Sequence, residues 1–246
     1  MTPRLDAYFV CATPRTGSSL LCGLLLSTGI AGRPESYFRG SDIPTWATQW
    51  GIADDSGAVD FGVFVRRARV EGATDNGVFA CRVMWGSLDE VVDGLRSSSP
   101  DCRGDDLDVL RQAFGELRFV FLSRQDVVAQ AVSWARAEQT DVWHEPIGGG
   151  RVQARSAAVY DRAQIDELVS TIETHNHAWH EWFARVGVQP LELRYETLEE
   201  APITTTREIV AALGLELDHE ARIRIGHLRL RDELNSAWIE RYRSGA

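Results

Sequence analysis

Seven consecutive residues carry the strongest chemical signal in the chain: Thr13-Pro14-Arg15-Thr16-Gly17-Ser18-Ser19. They offer a guanidinium, several hydroxyls, and a glycine that lets the backbone come close to a ligand. Placed between a strand and a helix, such a loop also gains the free N–H groups and the positive dipole end of the helix N-terminus. The chemistry this suits is the cradling of a phosphate or sulfate. The spacing follows the phosphate-binding pattern G-x-x-x-x-G-K-[ST]. Gly17 and Ser19 hold the second glycine and the final hydroxyl, while Ala12 replaces the first glycine and Ser18 the lysine. A polar strand–helix turn without a ligand draws on the same residue types.

The serine at the lysine position belongs to a chain-wide pattern. All 26 positively charged side chains of the 246 residues are arginine. Schiff-base chemistry is therefore excluded, and with it pyridoxal-phosphate and class I aldolase mechanisms. An ordinary ATPase or GTPase of the lysine-bearing kind is disfavoured. Any anion must be held by arginine, amides, hydroxyls or helix ends. The net charge of −10 argues against nucleic acid as a partner. His175, His177 and His180 lack a carboxylate spaced to complete a zinc site, so no metal is expected. Cys11, Cys22, Cys81 and Cys102 form no C-x-x-C pair and read as reduced thiols of a cytoplasmic protein. The longest apolar run, Leu20 to Leu26, is too short to span a bilayer, and no membrane or secretory segment is expected.

A second anion contact is suggested by Leu122-Ser123-Arg124, which ends an apolar run, with Ser133 nine residues later. An arginine at a strand end and a serine about two turns into the next helix can grip a phosphate from two sides. Both motifs require alternating elements around them. Ala7–Ala12, Val78–Met84, Leu117–Leu122 and Leu191–Tyr195 read as strands. Helical spacing runs from Leu20 to near Gly29, Phe61 to Val70, Leu88 to Leu95, from an N-cap at Asp126, Ile165 to Val186, Ile203 to Leu213, and around Ser236 to Tyr242. Trp179, Trp182 and Phe183 fall on the core side of the long helix. Gly148-Gly149-Gly150 is the expected flexible point. This alternation predicts a single α/β domain over residues 1–246, a parallel sheet flanked by helices. Residues 33–76 are irregular and aromatic-bearing, and are expected to wall an acceptor site. Trp46, Trp50, Trp85, Trp134 and Trp143 are candidates to stack on adenine or a sugar ring.

Together these motifs resemble a sulfotransferase that uses 3′-phosphoadenosine 5′-phosphosulfate (PAPS), and more narrowly the mycobacterial trehalose sulfotransferase family. The matching stretches are Ala7 to Leu21, Gly29 to Phe38, Gly77 to Trp85, Arg124 to Trp134 with Gln139 to Trp143, and Trp238 to Arg243. The resemblance implies a P-loop-like sulfotransferase fold, a homodimer, and a small-molecule hydroxyl acceptor such as a sugar or glycoside. It also implies that Arg15, Thr16, Gly17, Ser18 and Ser19 bind the 5′-phosphosulfate, and Arg124 and Ser133 the 3′-phosphate. Arg229, within a segment 222–243, would close over the donor. Pro14, Arg33, Glu35, Tyr37 and Phe38 would meet the acceptor.

The chain departs from this family at three positions. The family's acceptor-activating glutamate is Ser36 here, with Glu35 one residue earlier; its glutamine before the loop arginine is Pro14; its second-strand lysine is Arg82. The catalytic candidates are then Arg15, to stabilise the leaving phosphate and sulfuryl oxygens, and the Glu35–Ser36 pair, with Glu35 as general base. A substrate group, Asp42 and His144 are the alternative bases. Two other functions draw on the same motifs. One is an ATP-dependent small-molecule kinase, against which the missing lysine and magnesium-binding aspartate count. The other is a non-catalytic nucleotide-binding protein.

Overall fold

The structure is a computed structural model that describes residues 4–99, 101–143, 155–225 and 233–245. Four parallel strands, β1 (Ala7–Ala12), β2 (Phe79–Met84), β3 (Leu117–Ser123) and β4 (Leu191–Arg194), form a sheet in the order β2-β1-β3-β4. β1 lies inside the sheet and every one of its residues is buried. It reads as an unbroken apolar run because helices cover both of its faces. Its side chains alternate between two cores. Ala7, Phe9 and Cys11 enter one with Trp179, Trp182 and Phe183; Tyr8, Val10 and Ala12 enter the other.

The second core is closed by α1 (Ser18–Ser27) and α9 (Pro202–Ala212). The first is closed by α3 (Phe61–Glu71), α4 (Trp85–Ser98), α5 (Asp106–Phe114) and the long α7 (Arg162–Arg185). A third cluster joins α6 (Val127–Thr140) and α7 to Trp238 of α10 (Glu233–Ser244). Asp126 caps α6 as expected, its carboxylate accepting from the Ala129 N–H at 3.0 Å.

Two helices of this layer have no counterpart in the sequence reading. α2 (Ile43–Trp50) carries Pro44 in its first turn, where proline is tolerated, but the residue reads as a loop residue in a stretch rich in glycine. α5 is started by a capping box between Asp105 and Asp108. β4 ends at Arg194, one residue earlier than expected, and Tyr195 opens the short α8 (Tyr195–Glu200).

Sheet order creates the site. The chain leaves β1 toward β2 on one side and leaves β3 toward β4 on the other, so a crevice opens at the carboxyl ends of β1 and β3. Ala12 lies beside both Met84 and Leu122. The loops after β1 and β3 are therefore neighbours. The segment that follows α1 runs along the outer edge of β2, where Glu35 bridges to Cys81 and its carbonyl accepts from the Arg82 N–H at 2.9 Å. Entry to that edge passes Gly32, at φ +67°, where a Cβ would sit 2.6 Å from the Ala80 Cβ.

Candidate functional site: an arginine-lined anion cradle

The loop after β1 turns back sharply through two left-handed residues, Arg15 (φ 66°) and Gly17 (φ 84°). Gly17 stands at the N-cap of α1, with no side-chain cap and no acidic residue in the first turn. The first amides of α1 are thus left without a side-chain cap, an arrangement that favours an anion. The loop itself is well anchored. Thr13 and Thr16 are fully buried, and Thr16 Oγ1 donates to the Thr13 carbonyl at 2.9 Å. From below, Gln130 of α6 donates to Thr13 Oγ1 (2.8 Å) and to the Pro14 carbonyl (2.7 Å). Trp179 of α7 donates to the Ala12 carbonyl at 3.2 Å.

Two arginines converge on this loop. Arg15 donates through Nε to Ser133 Oγ at 3.0 Å and through Nη1 to the Trp143 carbonyl. Arg124 donates to the Arg15 carbonyl at 3.3 Å and lies 4.6 Å over the ring of Tyr195. Among the described residues neither has a carboxylate within ion-pair distance, and Arg124 Nε is buried without a partner. Burial, followed by the like charge of Arg124, lowers the Arg15 guanidinium to about 10. Burial lowers Arg124 as well. Asp126, Glu196 and Glu199 act on Arg124 only from beyond ion-pair distance; two half-buried guanidinium groups without a direct ion pair among the described residues suit a multivalent anion. The sequence reading assigned Arg15 and the Arg124–Ser133 pair to two separate phosphates; here Ser133 is bonded to Arg15, and all three residues belong to one cluster.

The β3 loop is fixed from outside. Glu196 of α8 accepts from the Gln125 and Asp126 amides at 3.1–3.3 Å. Asp126 also accepts from Arg243 of α10 at 2.7 Å. Arg229 and His144 lie outside the described residues.

A third cation was given no role by the sequence. Arg82 of β2 donates through Nη1 to Ser19 Oγ at 2.9 Å and through Nε to Ser36 Oγ at 2.8 Å. Its signal was present, since the family lysine it replaces lies in the same strand, but its reach across to α1 is not encoded locally. Glu35 is exposed and lines a groove of about 550 Å³ with Arg33, Tyr37, Trp46, Trp50 and Glu71. Trp46 and Trp50 stack with centroids 5.4 Å apart. Tyr37 is nearly buried at the edge of this groove, its hydroxyl donating to the Arg33 carbonyl at 2.8 Å. Phe38 departs from the expected acceptor contact: it is 1% exposed, packed on Phe61, Phe64 and Phe114, and serves the core. Trp85 likewise packs edge-on against Trp179. Asp42 precedes α2 and pairs with Arg39 at 2.8 Å.

A parallel sheet with a strand–helix anion cradle at its switch point, Ser18 in place of the lysine and arginines supplying the charge, defines a P-loop-like α/β protein. The profile of the Stf0 sulphotransferase family matches residues 7–245, and the chain belongs to that family. It is 29% identical over 266 residues to the trehalose 2-sulfotransferase of Mycobacterium tuberculosis (strain ATCC 35801 / TMC 107 / Erdman), covering 100% of this chain and 97% of the relative. It is 27% identical over 269 residues to the trehalose 2-sulfotransferase of Mycolicibacterium smegmatis, covering 100% and 97%. Among solved structures it is similar to a sulfotransferase from Alicyclobacillus acidocaldarius, at 13% identity and a TM-score of 0.47 over 99% of this chain and 93% of that one. It is also similar to a sulfotransferase domain from the curacin biosynthetic pathway, at 12% identity and a TM-score of 0.49 over 89% and 77%. The protein is a sulfotransferase, and the kinase alternative is not favoured.

Proposed function

We propose that this sulfotransferase takes its sulfuryl group from PAPS and delivers it to a hydroxyl of a sugar, with a disaccharide of the trehalose kind as the acceptor. The observation that supports this donor most directly is the Arg15–Arg124 pair, two half-buried guanidinium groups facing the cradle with no carboxylate between them. In this reading the first turn of α1, with Thr16, Ser18 and Ser19, receives the 5′-phosphosulfate, and Arg124 and Ser133 receive the 3′-phosphate. The groove at the β2 edge takes the acceptor, residues 33–76 forming its wall through Trp46 and Trp50. α10 is tied to the β3 loop, Arg243 donating to Asp126, two residues from Arg124. The enzyme works as a cytoplasmic homodimer without a metal; among the described residues no helix is long and apolar enough to cross a membrane.

Transfer requires the acceptor oxygen, the sulfur and the leaving phosphate oxygen to lie nearly in line, with the charge on the transferred group neutralised. Arg15 neutralises it from the loop. Glu35 accepts the acceptor proton, a contribution of about 10²–10⁴-fold. What supports this role is its neighbour: Ser36 is bonded to Arg82, which also reaches Ser19 in the first turn of the cradle helix.

The test is a titration with 3′-phosphoadenosine 5′-phosphate (PAP) and with ATP, each with and without magnesium. Metal-independent binding that needs the 3′-phosphate is expected; tight magnesium-dependent ATP binding would overturn the donor. Glu35→Gln should leave PAP affinity unchanged while transfer from sulfur-labelled PAPS to trehalose collapses.

A further inference from the structure

Phosphate-binding loops of the lysine kind reach over the transferred group with that lysine. This loop has Ser18 there. A cation stands close by on a different strand. Arg82 leaves β2 on the α1 side, half-buried, and two of its three nitrogens are held: Nη1 by Ser19, in the first turn of the cradle helix, and Nε by Ser36, next to Glu35. One anchor belongs to the donor side and the other to the acceptor side. Among the described residues Nη2 bonds to no protein group, and no carboxylate lies within ion-pair distance of Arg82. A guanidinium held by two hydroxyls stays rigid yet keeps its whole charge for a ligand. A lysine carries its three donors on one nitrogen at the end of a flexible stem, and lacks the rigid fork that holds two separated anchors and still presents a free edge.

Resting on the donor reading above, we infer that Arg82 is a further catalytic residue of this sulfotransferase, its Nη2 edge donating to the oxygens of the sulfuryl group during transfer. The bond between sulfur and the bridging phosphate oxygen breaks, and its electron pair stays on the phosphate. The acceptor oxygen bonds to sulfur and its proton passes to the base. Arg82 keeps its own proton throughout and contributes hydrogen bonds alone. Ser36 orients Arg82 without neutralising it, so the guanidinium keeps its charge for the sulfuryl group.

The experiment compares wild type with Arg82→Met, Arg82→Lys and Ser36→Ala. It follows transfer from sulfur-labelled PAPS to trehalose, or to water if trehalose gives no turnover, and binding of PAP, which lacks the sulfuryl group. Loss of one preorganised donor costs about 10²–10³-fold in kcat. Arg82→Met should fall in that range with PAP affinity held within about threefold. Arg82→Lys should fall between wild type and Met, and Ser36→Ala, which removes one anchor of Arg82, should slow transfer with PAP binding intact. Unchanged kcat in Arg82→Met, or PAP affinity falling in step with kcat, overturns the inference. If Arg82→Met does not fold, Arg82→Lys decides by the same split. A wild type that binds no PAP overturns the donor reading itself, whereas a wild type that binds and turns over while its variants match it overturns only the role of Arg82.

Discussion

The ring of Tyr195 closes on Gly17 so tightly that a Cβ at Gly17 would sit 2.4 Å from the ring's Cδ2. The same ring lies under Arg124, 4.6 Å from its guanidinium. One side chain from the start of α8 thus sets the spacing between the β1 loop and the β3 loop. Gly17 also holds φ +84°, which side-chain-bearing residues adopt at a cost. Gly17→Ala should therefore strain the loop and push Tyr195 aside together. Destabilisation of about 1–3 kcal/mol is expected in urea unfolding, with PAP affinity reduced by an order of magnitude or more.

Arg15 trades stability for binding. Its charge is largely buried, beside Arg124 and without a counter-ion. Arg15→Met should leave the ligand-free protein as stable as wild type, or more so, because it removes a like-charge repulsion. PAP affinity should fall about 10- to 150-fold, the equivalent of a charged hydrogen bond at about 1.5–3 kcal/mol. Calorimetric titration and thermal melts separate the two effects.

The lowered Arg15 value, about 10, sets a pH dependence. Arginine is protonated in the unfolded chain well above this value, so between the two values the unfolded state binds more protons. The stability contribution rises with pH in that window, and at neutral pH the buried charge is a cost. A bound anion offsets it. PAP at a hundred times its Kd should add about 2.7 kcal/mol at neutral pH, raising Tm by roughly 5–10 °C for a chain of this size. Donor affinity should decline as pH rises through about 10, which titrations at stepped pH would show.

Trp46 and Trp50 stack along the groove that Glu35 lines. An aromatic pair is worth about 0.5–1.5 kcal/mol beyond area burial, and a ring against a sugar face is taken on the same order. Trp46→Ala should raise the acceptor KM about 3- to 10-fold and leave PAP binding unchanged. A parallel loss of PAP affinity would place the groove on the donor side instead.

All four thiols are free, and three are buried. Burial pushes Cys11 and Cys81 far up and Cys22 to about 12. Cys102 is the only one with partial exposure. An aromatic disulfide reagent should titrate one thiol per native chain readily and the other three only on unfolding.

The sequence alone determined the local grammar of this protein. The change from a strand-forming run at Ala7–Ala12 to helical spacing after Ser18, with Arg15 and Gly17 between, marks an anion-binding turn because backbone preference and helix ends are local properties. The four strands, the Asp126 cap and the core face of α7 were legible for the same reason. Short α2 and α5 were not, since their signals rest on Pro44 and a pair of aspartates that serve loops equally well. Distance in space was not legible at all. Arg15 meets Ser133 across 118 positions, and Arg82 reaches Ser19 across 63 and Ser36 across 46. Those meetings follow from the order β2-β1-β3-β4, which sets Ala12 beside Met84 and Leu122. Tertiary packing also sent Phe38 into the core and gave Arg82 its place between the two serines. Strand order is chosen by which faces bury one another across the whole chain, and no single segment carries that choice.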